Sequence, residues 1–476
     1  MKRKRRHKRL QTALVHNLQS GRERLMASPI RSVGLTAIGV VLLSLVFTKS
    51  LPYALAPIDP NLALALNPDN PTALIAKAEK LRAELLMAGQ LPEKNRSAQA
   101  GLADMKMIDR LPKAEGASLE DSQGELVRLR MEIRRLALRA TANDPLNAEP
   151  FRLRAETATD YAAARALMEE ASKRSRRDAI TLFWLLNDCY YHRDFKEMLG
   201  YADLLLRTHP ELASYVFSYL ALLAEAQDGA PLLVQKLADA PSWRVSFFNE
   251  LLRHIKDADT PLRLMLALKE SGKPPVIDEL APYLNYLIGR NSVEAAYNVW
   301  LQFLPEDELD TLGLLTHANF EREPSRLAFD WQIARGTNSI AEFVPFDFGF
   351  GRVLHVSFGP GRVQFPEVSQ IVLLPSGKFR MTGKLKGSVE GKRGLRWQLR
   401  CMSGTHRVLG ETEMLMGRAE DWRIFSLEAN VVQTDDCRGQ VLRLIHDSRS
   451  ASEELLDGEV WFAGLQLERL PDSMSQ

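Results

Sequence analysis

The sequence predicts a multidomain protein with one transmembrane helix, an all-α domain built from helix pairs, and a C-terminal all-β sandwich. Three observations carry this prediction. A long uncharged apolar segment lies near the N-terminus, apolar residues recur at helical spacing through the middle, and apolar and polar residues alternate towards the end. The 476 residues are 45% hydrophobic and 26% charged, which is enough for several domains with separate cores.

Residues 1–31 form a basic tail. They contain ten Lys or Arg and a single acid, Glu23, whereas the rest of the chain has 52 basic and 59 acidic residues. Such a cluster attracts the phosphates of nucleic acids without reading their sequence, and it also orients a membrane helix. We favour membrane topology because an apolar segment follows the cluster, and we expect no nucleic acid among the partners.

Residues 32–55 are predicted to form a transmembrane anchor. Val33–Phe47 is apolar or small throughout, Leu51–Ala56 adds apolar length, and Lys49 between them can extend its ammonium group to the lipid headgroups. About 20 apolar residues are needed for a helix to cross a bilayer. The charge bias then places the basic tail in the cytoplasm and the bulk of the chain on the other side of the membrane.

Two alternatives to this anchor stay open at the level of sequence. Ala54-Leu55-Ala56 has the A-x-A pattern of a signal-peptidase site, although Pro57 follows it and the preceding basic region is very long. A buried core helix is the other alternative, although Arg31 and the other basic charges border the segment. We predict a single-pass, uncleaved anchor.

Residues 57–123 are predicted to contain a short helical unit and then a mobile connection. The prolines around residue 70 mark the end of one helix and the start of the next, with Asn70 as the N-cap and Pro71 at the first helical position. Beyond residue 90, Gly, Pro, Ser and charged residues interrupt any periodicity.

Residues 124–338 are predicted to be helical almost without a break. In Asp178–Pro210, two helices with apolar faces flank a turn at Tyr190–Phe195, and Pro210 ends the second helix. This stretch resembles a tetratricopeptide repeat (TPR), a helix–turn–helix unit of about 34 residues that ends in Pro. The resemblance covers about two repeats and implies a TPR-like solenoid, whose concave side usually binds protein.

Residues 340–470 are predicted to form a β-sandwich, followed by a short tail, 471–476. Period-two alternation begins near Ile340 and is clearest where Lys378, Arg380, Lys384 and Lys386 alternate with smaller or apolar residues. Further strands are predicted at Val353–Phe358, Leu395–Cys401, Trp422–Val431, Val441–His446 and Val460–Leu467. Gly and Pro separate the strands at spacings typical of an antiparallel sandwich.

The order of features in 370–470 resembles the jelly-roll modules that bind carbohydrate, which end in a strand with an aromatic pair such as Trp461-Phe462. Those modules often carry an acidic residue next, where this chain has Ala463-Gly464. The whole arrangement also resembles a group of proteobacterial membrane proteins associated with exopolysaccharide and O-antigen biosynthesis. The residues that carry this resemblance are Gly394–Cys401, Trp422, Cys437 and Gly458–Phe462.

This second resemblance implies a location and partners. It implies a bacterial inner-membrane protein with its bulk in the periplasm, and protein partners in a polysaccharide assembly or export machine. Cys401 and Cys437 share the C-terminal region and are the plausible disulfide pair in such an oxidising compartment. Cys189 falls in a helical stretch and is predicted to pack as a free, small apolar residue.

The sequence contains no catalytic signature. It lacks the G-x-S-x-G, H-E-x-x-H and G-x-x-x-x-G-K-[ST] motifs, and no Cys or His cluster has zinc spacing. We therefore expect no enzyme, no metal and no cofactor. The candidate glycan contacts are aromatic or basic residues of the sandwich: Trp397, Trp422, Trp461, Lys378, Arg380 and Lys384. A flat ring can stack on a sugar, but each tryptophan also fits a core position.

Two functions follow from these features. In the first, which we favour from the sequence, the protein is a periplasmic scaffold or accessory protein of envelope polysaccharide assembly, and its helical repeats bind partner proteins. In the second, the sandwich is a glycan-binding module that holds a polysaccharide and the helices form a stalk. An enzyme is a distant third alternative.

Overall fold

The structure, a computed structural model, describes residues 29–87, 119–310, 312–346, 349 and 351–471. The chain divides into two compact units between Val216 and Phe217. The first unit is helical, and the second contains helices followed by antiparallel sheets. The predicted fold class is confirmed in this coarse form. The basic tail up to residue 28, most of the predicted connection (88–118) and the tail from residue 472 lie outside the described residues.

The apolar N-terminal segment is one continuous helix in three parts: α1 (Pro29–Leu45), a π-helical turn (Val46–Ser50) and α2 (Leu51–Leu55). Thr36–Leu55 forms 20 residues with a mean hydropathy of 1.7, of which only 6% are buried within the protein. This helix is long and apolar enough to cross a membrane. Its exposed Val and Leu side chains lack the protein packing of a soluble core helix.

In the described part of the first unit the chain continues through the helices α3 (Pro60–Leu66), α4 (Pro71–Met87), α5 (Leu119–Asn143), α6 (Glu149–Glu156), α7 (Tyr161–Arg174), α8 (Ala179–Tyr191) and α9 (Phe195–Thr208). The predicted cap of α4 is observed, because Asn70 Oδ1 accepts a hydrogen bond from the Ala73 N–H at 2.9 Å. Leu74, Leu85, Ile133 and Leu153 belong to the buried core that joins α4, α5 and α6.

The helix pair expected in Asp178–Pro210 is present as α8 and α9. The turn between them contains Arg193 with φ at 59°, and Asp194 caps α9 by accepting a hydrogen bond from the Glu197 N–H. Buried residues such as Leu185, Met198 and Leu205 line the facing sides of the pair. The two helices match the sequence pattern, and their membership of a TPR solenoid stays a prediction.

Helix α10 (Ala213–Glu225) crosses the boundary between the units, and six more helices lie in the second unit. They are α11 (Ala230–Ala238), α12 (Arg244–Leu251), α13 (Thr260–Glu270), α14 (Ile277–Gly289), α15 (Val293–Phe303) and α16 (Glu306–Leu309). The prediction of helix up to residue 338 is wrong beyond Leu309. Residues 312–331 are irregular, because Leu315, Phe320 and Trp331 pack into the core of the sandwich instead of a helical face.

The sandwich consists of two antiparallel sheets. The strands are β1 (Gln332–Ile333), β2 (Ser339–Phe346), β3 (Gly351–Phe358), β4 (Val368–Val372), β5 (Gly377–Gly391), β6 (Arg396–Cys401), β7 (Val408–Glu411), β8 (Gly417–Val431), β9 (Gln440–Ile445), β10 (Leu456–Asp457) and β11 (Glu459–Arg469). One sheet has the order β1-β4-β9-β6-β7. The other has the order β10-β5-β11-β3-β2, and β8 also pairs with β5. We call the second one the six-stranded sheet.

Aromatic rings fill the space between the two sheets. The Trp331 and Trp397 rings lie 5.9 Å apart, and the Trp397 and Phe462 rings meet edge to face at 5.9 Å. Gly383 of β5 leaves room for the Phe425 ring, because a Cβ at this glycine would lie 2.5 Å from that ring. The inward-facing side chains of both sheets therefore form one continuous core.

The turn between α14 and α15 contacts the disulfide-bonded end of the sandwich. Asn291, with φ at 59°, donates a hydrogen bond from Nδ2 to the Asp435 carbonyl at 3.1 Å and accepts one from Ser403 Oγ at 2.9 Å. Val293 packs against Gly439, where a Cβ would approach Val293 Cγ1 to 2.9 Å. One asparagine side chain thus holds the segments that flank both bonded cysteines.

Candidate functional site

The predicted basic residues lie on the outer face of the six-stranded sheet. The alternation of β5 sends Phe379, Met381 and Leu385 into the core, so that Lys378 and Lys384 are exposed on the opposite face. Arg380 shares this face and donates hydrogen bonds to Glu428 of β8 at 2.7 and 3.1 Å. Lys378 and Lys384 are both exposed on this face, and Arg380 is paired with Glu428.

Trp461 of β11 lies on the same outer face, between two other strands. Its register partners are His355 of β3 on one side and Lys386 of β5 on the other. The Trp461 and His355 rings stack with a centroid distance of 5.2 Å and an angle of 17° between their planes. The alternation that buries Phe462 thus exposes part of its neighbour Trp461.

Two further rings join this pair. Phe346, at the end of β2, lies 6.2 Å from Trp461 and meets Trp422 of β8 edge to face at 5.6 Å. All four side chains are partly exposed. We call Phe346, His355, Trp422 and Trp461 the aromatic cluster. Strands β2, β3, β8 and β11 supply its members, so the sheet itself fixes their relative positions.

Carboxylates border the aromatic cluster. His355 Nδ1 lies 3.8 Å from Glu342 Oε1, and His355 Nε2 lies 3.4 Å from Glu459 Oε2. Both glutamates are exposed. Glu342 is the register partner of His355, and Glu459 lies opposite another residue of β3. Rings can cover the C–H faces of a sugar while carboxylates accept hydrogen bonds from its hydroxyl groups. This combination matches the chemistry of a sugar-binding surface.

The structure corrects one predicted contact. The Trp397 side chain is 0% exposed, because the alternation of β6 directs it between the sheets together with Leu399. Its backbone N–H donates a hydrogen bond to Thr412 Oγ1 at 3.1 Å. The prediction that Trp397 contacts a glycan is therefore wrong, and this tryptophan is a core residue. Trp422 and Trp461 stay candidates.

Sequence reasoning missed half of the aromatic cluster. Phe346 and His355 lie more than 65 residues before Trp422, and only the pairing of β2, β3 and β11 brings them to Trp461. The alternation within Val353–Phe358 does place His355 on the polar side of its strand. That signal could have identified the histidine as outward-facing, but no local pattern could have given its partner.

Cys401 and Cys437 form a disulfide in the structure. Cys401 ends β6, and Cys437 ends the 3₁₀ turn Asp435–Cys437. Asp435, at the start of this turn, forms an ion pair with Arg438 at 2.8 Å. Cys189 is buried in α8, and burial, together with Asp194 and Asp188 nearby, raises the pKa of its thiol to about 12.

We expect the three cysteines to differ in reactivity. Under native, non-reducing conditions, alkylation should modify none of them, since Cys189 is buried and protonated at neutral pH and the other two are bonded. After denaturation without reductant, Cys189 alone should react. Peptide mass spectrometry measures both states, and native alkylation of Cys401 and Cys437 would contradict the pairing and the oxidising compartment.

A histidine–aspartate pair elsewhere in the second unit has the geometry of a catalytic pair but not a free ring nitrogen. His317 Nδ1 lies 3.0 Å from Asp330 Oδ1, beside a cavity of about 600 Å³. However, Arg322 Nε donates to His317 Nε2 at 2.7 Å, and Arg322 also bonds Glu308 at 2.6 Å. The nitrogen that would exchange a proton with a substrate is already hydrogen-bonded, so this network fixes the irregular segment in place.

Within the described part of the chain, no group of three or more His, Cys, Asp or Glu side chains is arranged to hold a metal ion. The candidate site is made of aromatic, acidic and basic side chains.

Similarity to solved structures covers about a third of the chain. No family model matches it, and no curated protein matches it. A xylan-binding domain from Paenibacillus barcinonensis is 10% identical over 33% of this chain and 94% of its own length, with a TM-score of 0.23. A putative sugar-binding protein from Bacteroides thetaiotaomicron is 10% identical over 32% of this chain and 92% of its own, also at 0.23.

Another similar structure is the enzymatically active domain of tailspike protein 4 from bacteriophage CBA120. It is 10% identical over 29% of this chain, with a TM-score of 0.22, and the match spans only 19% of the tailspike chain. Similarities at these TM-scores do not indicate a function. The functional conclusion therefore depends on the residues of the sandwich itself.

Proposed function

We propose that the protein is a membrane-anchored glycan-binding protein whose C-terminal sandwich holds a polysaccharide at the aromatic cluster. The observation that supports this proposal is the partial exposure of Trp422 and Trp461 on one sheet face, next to Phe346 and His355. Other large rings of the sandwich, such as Trp397, are fully buried. Clustered rings that stay accessible to solvent are typical of a ligand contact.

The lysines of β5 favour an acidic polymer, whereas Glu342 and Glu459 beside His355 can accept hydrogen bonds from sugar hydroxyl groups. Lys378 and Lys384 are exposed on β5, and Lys386 is the register partner of Trp461. A lysine row along a strand can follow a chain of sugar carboxylates, while the rings bind the sugar faces. Exposed ion pairs of this kind weaken as salt is added, so binding to an acidic polymer should depend on ionic strength.

The site can be tested by binding to polysaccharides. We expect the full-length protein in detergent to bind an acidic exopolysaccharide immobilised on a biosensor surface. Trp461→Ala should weaken this binding about five- to tenfold, since a ring contact contributes about 1–1.4 kcal/mol. Tyr191→Ala is a matched control, because it removes an exposed ring from a helix of the first unit.

Two outcomes would contradict the proposal. One is the absence of binding to any acidic or neutral polysaccharide from the producing organism. The other is equal binding by Trp461→Ala and the unaltered protein, which would place the contact elsewhere. If Lys384→Ala lowers the affinity for the polysaccharide at low salt but not at high salt, the lysine contributes to binding through its charge.

The proposed location is the bacterial inner membrane, with the N-terminus in the cytoplasm and the bulk of the chain in the periplasm. The apolar helix Thr36–Leu55 supports the anchor, and the basic tail supports the orientation. An alkaline-phosphatase fusion after residue 60 tests both, since the enzyme is active only in the periplasm. An inactive fusion would overturn the orientation.

A scaffold role is the second candidate, and the α8–α9 pair is the observation that favours it. Helix pairs of this kind stack into surfaces that bind proteins, here components of a polysaccharide export or polymerase machine. Affinity purification from membranes should then recover such components reproducibly. If no partner is recovered and the sandwich binds polysaccharide, the scaffold role is contradicted and glycan binding remains as the proposed function.

A further inference from the structure

The sheet β1-β4-β9-β6-β7, which we call the five-stranded sheet, carries three arginines on its outer face. Strands β6 and β9 direct residues such as Leu399 and Leu442 into the core of the sandwich, so the residues that alternate with them point outwards. The outward-pointing side chains of these two strands include Arg396, Gln398, Arg400 and Arg443. This face lies on the opposite side of the sandwich from the aromatic cluster.

Two of the three arginines belong to one hydrogen-bonded network. Arg396 pairs with Glu411. Arg443 donates from Nε and Nη2 to Gln398 Oε1 at 3.0 and 2.7 Å, and its Nη1 atom lies 3.1 Å from Glu367 Oε2. Gln398 in turn donates from Nε2 to Glu411 Oε2 at 3.0 Å. Both carboxylates of this network are therefore engaged by these two arginines.

The third arginine, Arg400, has no such partner. Within the described part of the chain, no carboxylate lies at ion-pair distance from its guanidinium, and its buried Nε atom has no hydrogen-bond acceptor. Arg393 also has a buried Nε atom without an acceptor, but its other guanidinium nitrogens lie 3.7 Å from Asp447 and 3.8 Å from Glu453. A buried donor without an acceptor costs stability unless water or an ion supplies one.

The surroundings of Arg400 disfavour its positive charge. Its register partners are Val441 on β9 and Val408 on β7, and Val408 is 47% exposed. Burial lowers the pKa of Arg400 and Arg443 lowers it further, whereas Glu367 acts in the opposite direction. Arginine nevertheless stays charged at neutral pH. A bound anion would therefore supply both the missing acceptor and the missing negative charge.

The side chains around this guanidinium favour one kind of anion. Its planar fork matches a carboxylate, which can accept two parallel hydrogen bonds. Arg400 lies in a row of aliphatic residues that runs across β4, β9 and β7, and we call Ile371, Val441 and Val408 the aliphatic row. Aliphatic side chains can pack against the C–H groups of a sugar ring. A sugar that carries a carboxylate therefore fits both parts of the site.

We propose that Arg400 and the aliphatic row bind the carboxylate of a uronic acid in an acidic polysaccharide. This inference rests on the acidic polymer of the proposed function, but it uses other strands and other side chains than the aromatic cluster. The two contacts lie on opposite faces of the sandwich, so one molecule holds two segments of polymer. Binding at one face raises the local concentration of polymer at the other.

Binding to one polymer in an acidic and a neutral form tests this site. Full-length protein in detergent is passed over biosensor surfaces that carry polygalacturonate or the same polymer with its carboxylates methyl-esterified. Arg400→Met removes the guanidinium fork and keeps an unbranched apolar side chain. Arg253→Met is the matched control, because Arg253 lies on α12, away from both sheets, and its side chain is 72% exposed. Trp461→Ala is measured on the same two surfaces.

We expect Arg400→Met to bind the acidic surface about fivefold more weakly at low salt and the esterified surface as tightly as the unaltered protein. Its urea midpoint should not fall, since the change removes a charge that its surroundings disfavour. Arg253→Met should bind both surfaces like the unaltered protein. A lower urea midpoint for Arg400→Met, with equal loss of binding to both surfaces, would assign the arginine a structural role and overturn the inference.

The remaining outcomes separate this contact from the aromatic cluster. If Arg400→Met binds the acidic surface as tightly as Arg253→Met does, the second contact is overturned, and the proposed function stands when Trp461→Ala weakens binding to both surfaces. If Trp461→Ala has no effect while Arg400→Met weakens binding to the acidic surface, the aromatic cluster is overturned and the Arg400 contact stands. If the unaltered protein binds neither surface, both contacts are overturned.

Discussion

Replacing Trp397 with Ala is expected to destabilise the sandwich by about 3–5 kcal/mol, the usual cost of removing a large aromatic ring from a close-packed core. The ring is fully buried and contacts Trp331 and Phe462 at 5.9 Å between centroids, one from each side. Its loss would leave a cavity between the sheets that the surrounding side chains can fill only in part. Urea unfolding followed by hydrogen exchange of β6 and β9 measures the effect.

Trp422→Ala is the matched control for this change. It removes the same side chain from the same sandwich, but from the partly exposed aromatic cluster on β8. We expect its free energy of unfolding to fall clearly less than that of Trp397→Ala. If the two variants lose equal stability, the distinction between core and surface tryptophans, and with it the assignment of the candidate site, is wrong.

The two tryptophans illustrate what the sequence could and could not predict. Trp397 and Trp461 each lie in a strand with clear alternation, and local pattern alone cannot say which of them faces the core. The answer depends on the stacking of two sheets, in which Trp397 meets Phe462. Burial in a sandwich is a tertiary property, so the alternation predicts two faces without naming the inner one.

The strands also differ in how well the sequence predicts them. Strands in which apolar and polar residues alternate clearly along the sequence, such as β5, β6 and β11, are predictable from the sequence. The short strands β1, β4, β7 and β10 carry too few residues for a period to be visible. The helical prediction for 312–331 is wrong although the segment is rich in apolar residues, because Leu315, Phe320 and Trp331 pack into the core of the sandwich.

A buried ionic network in the first unit was equally invisible in the sequence. Arg152 of α6 is 5% exposed, and its guanidinium lies 3.0 Å from Glu156 and 3.1 Å from Asp178 and also pairs with Glu79. Arg82 of α4 pairs with the same Glu156, whose side chain is 1% exposed. The network links α4, α6 and the start of α8.

The electrostatics explain why these charges tolerate burial. Burial by itself would lower the pKa of Arg152, but the Glu156, Glu79 and Asp178 carboxylates outweigh it and raise this pKa above its usual value. The arginine therefore stays charged at every accessible pH. Each buried ion depends on its partners, so removal of one partner leaves an uncompensated charge.

Arg152→Met is expected to destabilise the helical unit by about 3–5 kcal/mol, because the buried Glu156 carboxylate loses one of its positively charged partners. Methionine keeps most of the apolar volume of the arginine side chain, so the change tests mainly the charge. Arg135→Met is the control, since Arg135 is 59% exposed and pairs with Glu132 on the same helix at 2.7 Å. We expect the control to lose no more than about 0.5 kcal/mol. Circular dichroism at 222 nm during urea unfolding measures both variants.

A double variant separates stranded charge from lost packing. Replacing Glu156 with Gln in the Arg152→Met background removes the carboxylate that the single change leaves poorly compensated, so part of the lost stability should return. If Arg152→Met costs no more than Arg135→Met, the network is hydrated and contributes little. If the double variant is less stable than Arg152→Met, the Glu156 carboxylate is still stabilised by Arg82 in the single variant, and the explanation by an uncompensated charge fails.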